Sequence, residues 1–130
     1  MIDFKHWDIT QRSKTEDIMA VIFKTQGQAK VGSLILRGIL ENGKYSEEKG
    51  RQQFGVYEEE MRKIFEASKV SKPTFFKVLK RLRKIGLINK DFSFYYLTMD
   101  FPNALRRFER GIRLILEPKL KDAKMPENEV

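Results

Sequence analysis

At 130 residues, with 41% hydrophobic and 34% charged composition, the chain is sized for one domain with a single modest core. It carries 26 basic against 18 acidic side chains, a net charge of +8, and no cysteine, which excludes a disulfide framework and any thiolate metal site. No apolar run approaches the roughly 20 residues that span a bilayer, and the opening MIDFKHWDITQRS lacks an apolar signal core, so a cytoplasmic protein without membrane contact is expected.

Residues 1–28 read as an N-terminal segment and helix. Ser13, with Glu16 three residues on, predicts a capping box, in which each side chain satisfies the other's backbone donor. Ile18, Val21, Ile22 and Phe23 then line one face, up to a break at Gln26 and Gly27. Phe4 and Trp7, ahead of this helix, are expected to cover a hydrophobic surface. His6 is the only histidine, and without a second His or a Cys it reads as a surface or packing residue, so no metal site is expected.

From Ala29 to about Asn42, Val31, Leu34, Ile35, Ile39 and Leu40 recur at helical spacing, and Asn42 with Gly43 closes the helix. Gly32 and Gly38 inside it each cost about 1 kcal/mol relative to Ala, which points to other helices packing closely there. Lys44–Val56, KYSEEKGRQQFGV, reads as an ordered surface loop or a short extra helix. Tyr57–Ala67 predicts another helix, with Met61, Ile64 and Phe65 facing inward. Glu58, Glu59 and Glu60 occupy its first turn, where carboxylates favour the positive end of the dipole. Successive helical residues point about 100° apart, so these three cannot converge on one ion.

Ser68, Lys69 and Val70 make a turn, with Val70 as its buried plug, and the next stretch holds the whole charge imbalance. Ala67–Lys90 contains eight basic residues and no acid, while residues 1–66 hold eleven of each sign and residues 91–130 seven of each. Ser71 is a good N-cap, Pro73 suits the first turn, Phe75, Val78, Leu79, Leu82 and Ile85 form an apolar face, and Gly86 is a C-terminal stop. The opposite face carries Lys72, Phe76, Lys77 and Lys80, flanked by Arg81, Arg83 and Lys84, and repels itself unless an anion lies against it. The run Val70, Ser71, Lys72, Pro73, Thr74, Phe75, then Leu79, Leu82, Gly86, Leu87 and Ile88, resembles the second half of a winged helix-turn-helix domain. In that family an apolar turn residue and a Ser introduce the recognition helix, a Gly ends it, and a strand leads into the wing. The resemblance covers roughly residues 29–100. It implies a mainly α fold with a small β-hairpin, in which extra N- and C-terminal helices flank the winged helix-turn-helix core. The dozen residues at 44–56 depart from the short link usual between the first two helices of that pattern, and Phe65 stands where a small residue is common.

Leu87–Asn89 predicts a short strand, Lys90–Ser93 a turn and Phe94–Thr98 a returning strand. This wing offers Lys90 as its one basic side chain, suited to a single phosphate contact. Phe92, Phe94, Tyr95 and Tyr96 alternate between core and surface. Residues 101–118 form a C-terminal helix with Pro102 in its first turn and Pro118 as its stop, and residues 119–130 read as a flexible tail. Leu105, Phe108, Ile112 and Ile115, broadened by Leu116, make two turns of heptad seam, the expected dimer interface.

No catalytic constellation stands out: the single His lacks a fixed partner, no glycine-rich phosphate loop precedes a helix, and the carboxylates read as ordinary surface charge. Neither an enzyme nor a cofactor is expected, and no small-molecule ligand is evident. The reading is a sequence-specific double-stranded DNA-binding protein, a transcriptional regulator acting as a homodimer. Helix 71–85 would read the major groove through Lys69, Ser71, Lys72, Thr74, Phe76, Lys77, Lys80, Arg81 and Lys84, with Lys90 on the wing. Two alternatives stay open: a winged-helix protein-interaction module in a replication or transcription complex, and an RNA- or single-strand-binding protein using the wing aromatics.

Overall fold

The computed structural model describes residues 15–46 and 53–122 of the chain. The expected roles of Phe4, His6, Trp7 and Ser13 lie outside these residues. Among the described residues the architecture is mainly helical, with five helices and one small antiparallel sheet.

The first helix, α1 (Thr15–Ile22), has Glu16 and Asp17 in its first turn. Its buried side chain is Met19, with Phe23 just beyond the helix end also in the core, Ile22 half-buried and Val21 exposed. The inward face is therefore Met19, Ile22 and Phe23: of the expected Ile18, Val21, Ile22 and Phe23, Ile18 is half-buried and Val21 turns outward, while Met19 is added. That face meets α2 (Gln26–Asn42) at Gly32, where a Cβ would lie 2.8 Å from the Phe23 ring and 3.0 Å from the Met19 sulfur. Gly38 plays the same part for Ile64, whose Cδ1 would be 2.6 Å from an added Cβ. Both glycines thus mark helix-to-helix approaches. The helix α2 begins three residues before Ala29 because Thr25 caps it, its hydroxyl accepting from the Gln28 N–H at 3.2 Å. Gln26 and Gly27 are its first turn and not a break. Ser33, wholly buried in this helix, shares a hydrogen bond with the Thr15 hydroxyl, which satisfies it without water.

The stretch after Asn42 is neither a plain loop nor a helix. It supplies strands β1 (Lys44–Ser46) and β2 (Gln53–Tyr57), and β2 joins the sheet formed by β3 (Ile88–Asp91) and β4 (Phe94–Leu97), in the order β1-β2-β4-β3. Val56 opposes Tyr95 and both are buried, while Gly55 opposes Tyr96. Gly55 is required by close approach, since a Cβ there would run into the Tyr95 carbonyl. Tyr57 ends the strand, so the next helix, α3 (Glu58–Ser68), starts one residue later than its sequence suggests, and the Glu58 N–H donates to the Ser93 carbonyl at 2.9 Å.

The helix α3 ends on Lys69 in the left-handed conformation (φ 57°, ψ 23°), and Val70, half-buried, completes the turn. Ser71 then caps α4 (Lys72–Lys84), accepting from the Thr74 N–H and donating to its hydroxyl. At the other end, Leu87 donates to the Leu82 carbonyl at 3.1 Å and Gly86, at φ +88°, to the Arg83 carbonyl at 3.2 Å, a Schellman closure that needs the glycine. Phe75, Val78, Leu79 and Leu82 are at most 2% exposed and form the centre of the core with Ile35, Ile39 and Ile88. In the β3–β4 hairpin β3 runs two residues past its expected end, so Lys90 and Asp91 are paired residues and the turn is Phe92 and Ser93, while β4 ends at Leu97, one residue short of Thr98.

The last helix, α5 (Asp100–Asp122), runs through Pro118, which does not stop it. Proline removes one N–H and crowds the carbonyl four residues back, that of Leu114, a residue 72% exposed. The start of α5 is fastened to the end of α4: the Gly86 carbonyl accepts from the Phe101 N–H at 3.0 Å and from the Thr98 hydroxyl. No helix among the described residues is long and apolar enough to cross a membrane.

Candidate nucleic-acid interface

Because α4 buries Phe75, Val78, Leu79 and Leu82, its remaining residues are turned outward by the helical period. Ser71, Lys72, Thr74, Phe76, Lys77, Lys80, Arg81, Arg83 and Lys84 are all exposed, and Lys69 is exposed in the turn before them. Nine of the ten residues expected to contact nucleic acid therefore lie on one helix or its leading turn. Among the described residues no acidic side chain forms an ion pair with any of these cations. A helix of 13 residues is about 20 Å long at 1.5 Å per residue.

The tenth residue, Lys90, is differently placed. Its ammonium sits 3.0 Å from a Glu58 carboxylate oxygen and 5.0 Å from the centre of the Tyr95 ring. The hydrogen bond to Glu58 first, and that to Tyr95 second, raise its pKa above the ordinary lysine value. Lys90 thus fastens the hairpin to the start of α3, and any anion approaching it meets a charge that is already compensated. Ser71 is likewise engaged, its hydroxyl serving the cap.

Phe76 lies between burial and exposure. Its ring is 6.3 Å from Phe65 of α3 and edge-on to Phe75 at 5.5 Å, yet 43% of the residue remains exposed, with the Lys72 ammonium 6.0 Å from the ring centre. The bulky Phe65 is accommodated by this aromatic stack, its ring 5.2 Å from Phe75. Of the hairpin aromatics, Phe94 and Tyr95 are buried, Tyr96 is half-buried and Phe92 is 82% exposed.

The apolar stripe of α5 is open along its length. Leu105, Phe108, Ile112, Ile115 and Leu116 are 40–75% exposed, and Leu120, four residues beyond Leu116, continues the stripe past Pro118. Leu120 is missed when the helix is ended at the proline, although its spacing from Leu116 is legible in the sequence. Arg113 bridges Glu109 and Glu117 along the polar side, at 3.3 Å for Glu117. Among the described residues no three His, Cys, Asp or Glu side chains group as metal ligands. Compared with protein-family models, curated proteins and solved structures, the chain matches none, so the meaning of this surface rests on its own residues.

Proposed function

We propose that the protein is a winged helix-turn-helix regulator that binds double-stranded DNA in a sequence-specific manner. It does so as a homodimer paired through α5, with α4 in the major groove. The observation that carries this reading is the two-sidedness of α4: an apolar face at most 2% exposed, and opposite it Lys72, Lys77, Lys80, Arg81 and Lys84, exposed and in no ion pair with an acid among the described residues. A rigid cationic rod of this width suits the roughly 12 Å major groove, where its lysines and arginines would displace counterions from phosphates. Thr74 and Phe76 supply apolar contacts of the kind that read thymine methyl groups. The dimer follows from the open stripe on α5, because a row of large apolar side chains left in water is stabilised by a second copy.

Selection of bound duplexes from a random pool, followed by footprinting on the winner, tests the reading. A palindromic consensus with protection of the major groove is the expected result. Retention of single-stranded oligonucleotides in preference to duplex, or the absence of any enriched duplex, would refute it.

A further inference from the structure

A cavity of about 390 Å³ opens where α3, the first turn of α4 and the β3–β4 hairpin meet. Its lining residues come from four separate stretches, so no sequence pattern announces it. Four aromatic residues line it, of which Phe75 is wholly buried. Tyr95, 5% exposed, and Phe65, half-buried, are fixed by the core, and Phe76 offers its free face. Rings arranged in this way favour a flat, π-bearing guest, and the volume lies within the roughly 300–1,000 Å³ common for small-molecule sites.

The rim carries Arg62, Lys72 and Lys90 against Glu58 and Glu66. Glu58 is taken by Lys90 at 3.0 Å, so these two cancel. Arg62 and Lys72 then face one carboxylate, Glu66, leaving a single positive charge to be matched. The Lys72 ammonium lies over the Phe76 ring, 6.0 Å from its centre. A guest whose ring lay against Phe76 would hold an acidic substituent within reach of that ammonium.

We propose that this cavity binds a small planar aromatic monoanion, its ring against Phe65, Phe76 and Tyr95 and its carboxylate at Lys72, and that the bound acid competes with duplex DNA for Phe76 and Lys72. The competition rests on the DNA reading of α4; the binding does not.

The test uses the full chain, isotopically labelled, and follows backbone amide resonances during titration with indole-3-acetate and with its uncharged counterpart indole-3-acetamide. Saturable shifts at Phe65, Phe76 and Tyr95 are expected for the acid, with the amide weaker by about tenfold or more, the equivalent of about 1.4 kcal/mol. Lys72→Gln, an exposed change that should leave the rest of the spectrum in place, is expected to abolish that preference. No saturable shift up to about 5 mM acid, where less than about 3 kcal/mol of binding would remain, overturns the proposal. Equal affinity for acid and amide, or a Lys72→Gln protein that keeps the preference, overturns it too. In a separate arm, saturating acid should weaken binding to the selected duplex. Acid that binds while duplex affinity stays unchanged refutes the competition, whereas a chain that takes the acid but never a duplex leaves the site standing and removes only the DNA reading.

Discussion

Replacing Lys77 and Lys80 together by Ala isolates the electrostatic part of the proposed DNA binding. Both side chains are exposed, and neither is ion-paired to a described residue, so their removal disturbs no native pairing. Exposed substitutions of this sort change stability by about 0.5 kcal/mol or less, and the thermal midpoint should hardly move. Removing one lysine–phosphate pair lowers the slope of log affinity against log salt by about 0.9, so removing two lowers it by about 1.8. Over a fourfold rise in salt, about 50 to 200 mM, the double variant should then lose roughly twelvefold less affinity than the unmodified chain. Fluorescence anisotropy with the selected duplex at four or five salt concentrations reads this slope directly. An unaltered slope, with the fold intact by circular dichroism, would show that α4 does not face the phosphates.

Phe76→Ala should lower stability by only about 1–2 kcal/mol, short of the roughly 3–5 typical of a buried aromatic, because nearly half the residue is already in water; a larger loss measured by urea unfolding removes it from the groove. Ile112→Glu with Ile115→Glu places two charges in the α5 stripe and should yield a monomer at tens of micromolar by sedimentation, where the unmodified protein is expected at dimer mass. Gly55→Ala should destabilise by more than about 2 kcal/mol, since the new methyl meets the Tyr95 carbonyl, whereas Gly27→Ala, with nothing within 4 Å, serves as the tolerated control in the same unfolding series. Lys90→Met should be less stable than the unmodified protein by an amount that is constant from neutral pH up to the ordinary lysine value near 10.5. The gap should close as pH rises through the raised folded value, because only the protonated amine is held by Glu58 and Tyr95; a gap independent of pH in that range contradicts the pairing.

Those helices whose ends and faces are both written locally were the legible part of the fold. In α4, Ser71, Pro73, the Phe75–Leu82 stripe and Gly86 all act within a few residues of one another, and the structure uses each as its chemistry suggests. The strand β2 was hidden for the opposite reason. Only Phe54 and Val56 point to the core, and the glycine between them, which by itself reads as a break, is needed by a carbonyl forty residues away in the chain. Pro118 misled in a similar manner: the rule that proline ends helices weighs one lost hydrogen bond and one clash, and the exposed helix α5 continues to Asp122 in spite of them. In the candidate site, which residues face outward followed from periodicity alone. That Lys90 is neutralised by Glu58, and that Phe65 and Phe76 pack as tilted rings, depends on how α3 meets the hairpin and α4, a relation no local pattern encodes.

The Gly86 carbonyl, which accepts from both the Thr98 hydroxyl and the Phe101 N–H, makes the end of α4 and the start of α5 a single joint. A helix of 23 residues extends about 34 Å from that joint, so it acts as a lever arm. Tilting it by about 10° would displace its far end by about 6 Å, close to two base-pair steps of the roughly 34 Å, ten-pair helical turn. If the proposed dimer forms, these two hydrogen bonds at Gly86 would bear on the distance between its half-sites. A substitution at Thr98 that loosens the joint would then broaden the range of spacings tolerated without touching any group proposed to meet the DNA.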